Sequence, residues 1–292
     1  VARRTDRESQ LERGDGSMTA MSVTIRAGGA SWVETGGEML ALAGRRLRHL
    51  RRAPGRLVGV IMNPLVTMIA VGYLFKDSIV VPGTGSYPDY LMAGAAAQVA
   101  LASVGPTAIA VALDLHGGLV DRFRSLPISR PAVLVGHTLA DLVMSLVGLV
   151  VVLAVGLLLG WRAHTGVGPL LAGVGVLAAF SFVMLWVGVL LGMVLRNAET
   201  IDSVGGLVVV LFSFLSSAFL SVNRYPAWLR PVAEWNPVSS VTNQVRLLWG
   251  DPVAADPGYA GRQPGTVVAI ALCVVLAATA AISFRRYRTA AA

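Results

Sequence analysis

The chain contains one cysteine, Cys273, and one lysine, Lys76, among 292 residues, and only 14% of its side chains are charged. A lone thiol excludes an intrachain disulfide framework or a thiolate metal set. The lone lysine lies in Leu74-Phe75-Lys76-Asp77, without the Gly-Lys-Ser/Thr that carries a lysine to nucleotide phosphates, so this chain has no P-loop. The shortage of charge excludes most: soluble domains carry about 25% charged residues, so much of this chain does not face water. Its four histidines are scattered, and no acid, base, nucleophile or metal-ligand set converges in the sequence as a membrane-embedded enzyme would require. No catalytic, cofactor-binding or metal residue is therefore assigned. The net charge of +8 does not indicate nucleic acid, because the arginines flank apolar runs and an aromatic-interleaved basic patch is missing.

What the chain has is apolar length, with 55% hydrophobic residues. Crossing about 30 Å of hydrocarbon takes roughly 20 helical residues, and runs at 57–75, 91–113, 133–159, 170–195, 204–222 and 266–284 meet that need. Continuous Val/Leu/Ala/Gly runs do not alternate as barrel strands do. The expectation is an all-α membrane protein of six transmembrane helices. Residues 1–30 are polar and aperiodic, as in a disordered cytoplasmic tail. Over 31–56, Trp32, Met39, Leu40, Leu42, Leu47 and Leu50 interleave with Arg45, Arg46, Arg48, Arg51, Arg52 and Arg56, which predicts an amphipathic interfacial helix. The first long run follows this arginine-rich stretch, so it is expected to remain as an anchor. With both termini inside, the cytoplasmic segments from Arg45 onward hold 13 basic residues against six outside, which supports N-in and C-in with a tail at 285–292.

Two loops carry the motifs. In DLHGGLVDRFRSLPISRP, Asp114 to Pro131, the residues Leu119, Val120, Phe123 and Leu126 share a helical face opposite Asp121, Arg122, Arg124 and Ser125. This pattern fits either a membrane-surface loop or a helix docking into a soluble motor protein. In the second, Asn236 suits an N-cap and Pro237 a first helical position, while Glu234, Asn236 and Arg246 are candidates for an external gate. Gln98, Ser103, Ser213, Ser216 and Ser217 are the polar groups best placed for a substrate route, with helix-to-helix hydrogen bonding as the alternative. His137 and Asp141, one turn apart, suggest an interfacial pair rather than chemistry. Asn63-Pro64 and Gly105-Pro106 predict kinks. The pairs Gly156/Gly160 and Gly188/Gly192 have the spacing of close helix contacts and of a dimer interface. Tyr225, Trp228, Trp235 and Trp249 suggest an aromatic belt.

The stretch GGLVDRFRSLPISRPAVLVGHTLADL, together with NPVSSVTNQVRLLWG at Asn236 to Gly250, resembles type-2 ABC exporter (ABC-2) permeases, in particular the daunorubicin-resistance type of actinomycetes. The resemblance extends over about 31–288. It implies a transmembrane domain at 57–284, a coupling helix at 115–126 acting through Leu119, Asp121, Arg122, Phe123 and Arg124, and an external or re-entrant segment at 224–262. It also implies a multi-pass permease of the cell membrane that dimerises, as a homodimer or heterodimer, and binds a separate ABC ATPase subunit. ATP and Mg would be held by that partner, and a drug-like, secondary-metabolite or lipid-like amphipathic compound would be exported. Export of polysaccharide or lipid-linked glycan is the nearest alternative. A gradient-driven carrier is a further one, although the helix interiors are poor in the ionisable groups that bind coupling ions.

Overall fold

All secondary structure among the described residues is helical, in a computed structural model that describes residues 54–74, 86–116, 130–195, 197–253 and 258–290. The expected tail, the interfacial helix before Pro54 and the coupling residues Leu119 to Arg124 lie outside them. The described elements belong to one unit, Thr35–Ala292. They are α1 (Pro54–Leu74), α2 (Tyr87–Ala102), α3 (Val104–His116), α4 (Arg130–Leu158), α5 (Val167–Val194), α6 (Ala198–Phe214), a 3-10 turn (Val222–Arg224), α7 (Arg230–Trp235), α8 (Pro237–Trp249), α9 (Gly258–Arg262) and α10 (Pro264–Ala290).

Local chemistry sets the boundaries. Ser86 caps α2, its Oγ accepting the Asp89 N–H at 3.4 Å, with Pro88 in the first turn. In the second run the helix is interrupted at Ser103, between α2 and α3, where Pro106 has no N–H to offer the carbonyl one turn back. In α1 the helix continues through Pro64. Four stretches are long and apolar enough to cross a bilayer: Tyr87–Asp114, Thr138–Leu158, Val167–Val194 and Pro264–Arg286. The apolar part of α1, Val58–Gly72, and the 17-residue α6 are shorter. Outward faces remain apolar: Val150 on α4 is 63% exposed and Ile270 on α10 is 60% exposed. Such faces on long apolar helices require hydrocarbon, and the chain is a multi-pass membrane protein.

Two helices form the centre. Every residue of α2 from Asp89 to Ala102 is buried, and α2 touches α1, α4, α5, α6 and α8. Its alanine run permits close approach: a Cβ on Gly94 would collide with the Ala218 carbonyl. Helix α5 packs against α2, α3, α4, α8 and α10. Here Gly188 and Gly192 press onto the carbonyls of Val104 and Ala108 on α3, so the close contact predicted from their spacing is made within the chain, not with a second copy. Gly156 likewise lies against Met92, and Gly160 has left the helix with φ 103°. Thr107 Oγ1 donates to Asp141 Oδ2 at 2.9 Å, tying α3 to α4.

Candidate functional site

The fifth apolar run, expected to span to residue 222, stops being helical after Phe214. A helix ending inside an apolar bundle leaves carbonyls that hydrocarbon cannot satisfy, and three later residues satisfy them. Asn236 Nδ2 donates to the carbonyls of Phe212 (3.1 Å) and Leu215 (2.7 Å). The Tyr225 hydroxyl donates to the carbonyls of Phe214 and Ser216. Asn236 Oδ1 also accepts the Val238 N–H at 2.9 Å and caps α8, the N-cap that Asn236-Pro237 predicts.

Arg246 completes this seal and is fully buried. Its guanidinium donates to the carbonyls of Tyr90 (2.8 and 3.1 Å), Ser217 (2.9 Å) and Ala218 (2.9 Å), and to Asn243 Oδ1 at 3.3 Å. Its Cζ lies 3.7 Å from the centroid of the Tyr90 ring, a cation–π geometry. Arg246 thus brackets α2, the 215–219 turn and α8. Glu234, half-buried on α7, forms no ion pair with it among the described residues, and of the three gate candidates both Asn236 and Arg246 are engaged with backbone.

The substrate-route candidates separate into two groups. Ser103 Oγ donates to its own helix at Val99 O (2.9 Å) and Ser216 Oγ to Ser213 O (2.7 Å). Ser217 belongs to a buried network with Ser239, Thr242 and Asn243. Gln98 Oε1 and Ser213 Oγ are buried without a hydrogen-bond partner, although Gln98 Nε2 reaches Thr67 Oγ1 at 3.5 Å. These two side chains keep unused polar capacity inside the bundle.

A second polar cluster gathers at the end of the bundle away from His116 and Arg130. Asp89 comes from the first turn of α2, His164 from the turn between α4 and α5, and Asp251 from the residues after α8. His164 Nε2 lies 4.0 Å from Asp89 Oδ2, and Nδ1 lies 3.8 Å from Asp251 Oδ1. Ser86 Oγ donates to Asp89 Oδ2, and the Trp161 indole N–H is shared by the Asp251 oxygens at 3.3 and 3.4 Å. Burial pushes the Asp251 carboxyl up to about 7, and the Asp89 charge adds to this, against the lowering effect of the Trp161 hydrogen bond, Arg246 and His164. On its other side Trp161 lines an apolar cavity of about 260 Å³ with Met68, Gly72, Leu91, Met92 and Gly156. Trp249, expected in an interfacial belt, is instead fully buried: its ring centroid is 5.0 Å from that of Trp161, and its Nε1 donates to Leu170 O. Gly173 makes room for it, since a Cβ there would meet the indole. Trp228 and Trp235 remain largely exposed, as a belt requires.

The sequence reading did not single out Asp89, Trp161, His164 or Asp251, which come from three segments far apart in the chain. The one local signal was a Ser-x-x-Asp start at Ser86 to Asp89.

The model of the family described as "ABC-2 type transporter" matches residues 37–248. The daunorubicin resistance ABC transporter permease protein of Streptomyces coeruleorubidus is 29% identical over 283 residues, which cover 92% of this chain and 96% of that protein. The probable doxorubicin resistance ABC transporter permease proteins of two Mycobacterium tuberculosis strains, CDC 1551 and H37Rv, are 27% identical over 240 residues, 80% of this chain and 83% of theirs.

Proposed function

Because the chain belongs to the ABC-2 type transporter family, we propose that it is the permease subunit of an exporter in the cell membrane, driven by ATP hydrolysed in a separate subunit. The family match, which covers the first motif and the second as far as Leu248, is the observation that carries this reading. The similarity to daunorubicin and doxorubicin resistance permeases favours a daunorubicin- or doxorubicin-like compound as cargo. Six spans with both termini inside, α1, α2–α3, α4, α5, α6 and α10, are the arrangement that agrees with the arginine distribution.

In this reading the ATPase grips Asp121, Arg122 and their neighbours between α3 and α4. Force on that stretch enters two helices that are tied to each other through Thr107 and Asp141. Helix α3 also presses on Gly188 and Gly192 of α5 with almost no compressible side chain between them. Close-packed contacts of this kind transmit displacement instead of absorbing it. Helix α5 adjoins α2, α8 and α10, so a push at the inner end reaches the elements around Arg246 and Trp161. Gln98 and Ser213 supply unspent hydrogen-bonding groups to a passing polar substituent.

The test is affinity purification of the tagged chain from its native membrane under mild detergent. An ABC ATPase is expected to co-purify, and Asp121→Ala with Arg122→Ala is expected to reduce its recovery by about tenfold or more while the permease still inserts, the loss of a few charge-assisted contacts. Full recovery with both substitutions would remove the coupling assignment, and loss of transport on addition of an uncoupler at constant ATP would favour a gradient-driven carrier.

A further inference from the structure

Asp89 and Asp251 are two buried carboxylates whose ion-pair partner among the described residues is His164, with no lysine or arginine paired to either. The Asp251 side chain is fully buried and that of Asp89 is 9% exposed. Their hydrogen bonds come from one hydroxyl, Ser86, and one indole, Trp161. The nearest guanidinium, Arg246, gives its N–H groups to three carbonyls and the Asn243 amide oxygen. Buried carboxylates are ordinarily paired with a cation or bound to a metal. Facing both is His164, whose side chain is half exposed and so opens the cluster to ions and water.

We propose that Asp89, His164 and Asp251 form a binding site for a divalent transition-metal ion of the Zn²⁺ class at the outer end of the bundle. Imidazole nitrogen and carboxylate oxygen are the donors such an ion takes. One donor atom from each of the three residues lies within 4.8 Å of the other two. The His164 contacts, 4.0 and 3.8 Å, are too long for hydrogen bonds. They lie a few tenths of an ångström beyond the roughly 3.4 Å that two metal bonds of about 2.1 Å subtend at a tetrahedral angle. The two imidazole nitrogens face different carboxylates. With the ion on Nε2 and Asp89 Oδ2, Asp251 Oδ1 stands 3.8 Å from Nδ1, and a shift of roughly half an ångström would bring the Nδ1–H into the outer hydrogen bond that orients metal-bound histidines. Water from the exposed side fills the remaining positions.

The histidine is held for this before any ion arrives. The His164 N–H donates to Trp249 O at 2.9 Å and Thr165 Oγ1 donates to Leu248 O at 2.7 Å, which pins the 164–165 turn to the last turn of α8. Gly250 then turns the chain back with φ 75°, and a Cβ on it would come within 3.0 Å of the His164 Cβ. Only glycine takes both that backbone conformation and that approach. An ion at this point joins the start of α2, the α4–α5 turn and the end of α8. The site rests on these residues alone and does not depend on what the protein transports.

The experiment uses the full chain, purified with a tag that contains no histidine, stripped with chelator and titrated with Zn²⁺ by calorimetry and with Co²⁺ by visible absorption. One saturable Zn²⁺ per chain is expected, with a tetrahedral or five-coordinate Co²⁺ spectrum. Affinity should fall about 10- to 100-fold in His164→Ala and in Asp89→Asn. His164→Ala removes a half-exposed side chain, so its metal-free unfolding temperature serves as the folding control. Absence of saturable binding, or binding unchanged in a folded His164→Ala protein, overturns the proposal.

Discussion

Arg246 and the carboxyls of Asp89 and Asp251 are all buried, but their surroundings are opposite. Around Arg246, donors and acceptors balance: carbonyls of the turn after α6 and the Tyr90 carbonyl in the first turn of α2 take the guanidinium N–H groups, and the Tyr90 ring covers its face. Around Asp251, acceptors exceed donors, and one indole N–H serves two oxygens. A satisfied buried charge acts as a structural bracket, whereas an unsatisfied one is available for a proton, an ion or a ligand.

The comparison is most sharply broken at Arg246. Arg246→Met retains much of the volume but removes the guanidinium donors from the carbonyls of Tyr90, Ser217 and Ala218. A loss of about 3–5 kcal/mol is expected, as when one side of a buried charged network is removed, read as collapse of the monodisperse peak and a lowered unfolding temperature in detergent. A near-normal Arg246→Met protein would return Arg246 to the role of a free gate charge. Asn236→Ala should act on the same seal more mildly. It removes the α8 cap and the donors to Phe212 and Leu215, for an expected loss of about 1–2 kcal/mol, measured the same way.

At Asp251 the smallest effect is expected, and it appears as a pH slope. Its carboxyl is raised from an ordinary 3.8 to about 7 in the folded protein, so between these values the folded state holds a proton that the unfolded state has lost. Stability from this group is therefore complete below about pH 4 and is lost as pH rises through about 7. In chelator, thermal unfolding between pH 5 and 8 should fall more steeply for the wild type than for Asp251→Asn. Parallel profiles would mean that neighbouring groups already neutralise Asp251 and that the two regions do not differ as described.

Much of the scaffold was legible from local sequence. The runs behind α4, α5 and α10 are long enough that length and hydropathy alone define them, and Asn236-Pro237 announces the start of α8 because capping is a contact between near neighbours. The end of α6 was not legible: Phe214 is followed by Leu215-Ser216-Ser217-Ala218-Phe219-Leu220, which continues the apolar run. The groups that let it break, Tyr225, Asn236 and Arg246, are supplied by later segments. Trp249 was misplaced for a similar reason. Its position beside a loop suggests an interface, but Gly173 on α5 opens a slot that buries it.

The amino-acid sequence by itself determined that this chain lives in a bilayer as helices, has no P-loop of its own, and carries the two motif-bearing loops of an ABC-2 permease, because hydropathy, charge placement and short motifs act over one turn or one span. Only the tertiary structure decided where Arg246 is anchored, that Gly188 and Gly192 serve packing within the chain, and that Asp89, His164 and Asp251 meet. Those outcomes depend on which carbonyls, glycines and carboxylates distant segments bring into contact, and pairings of that kind are selected by packing rather than by any local pattern.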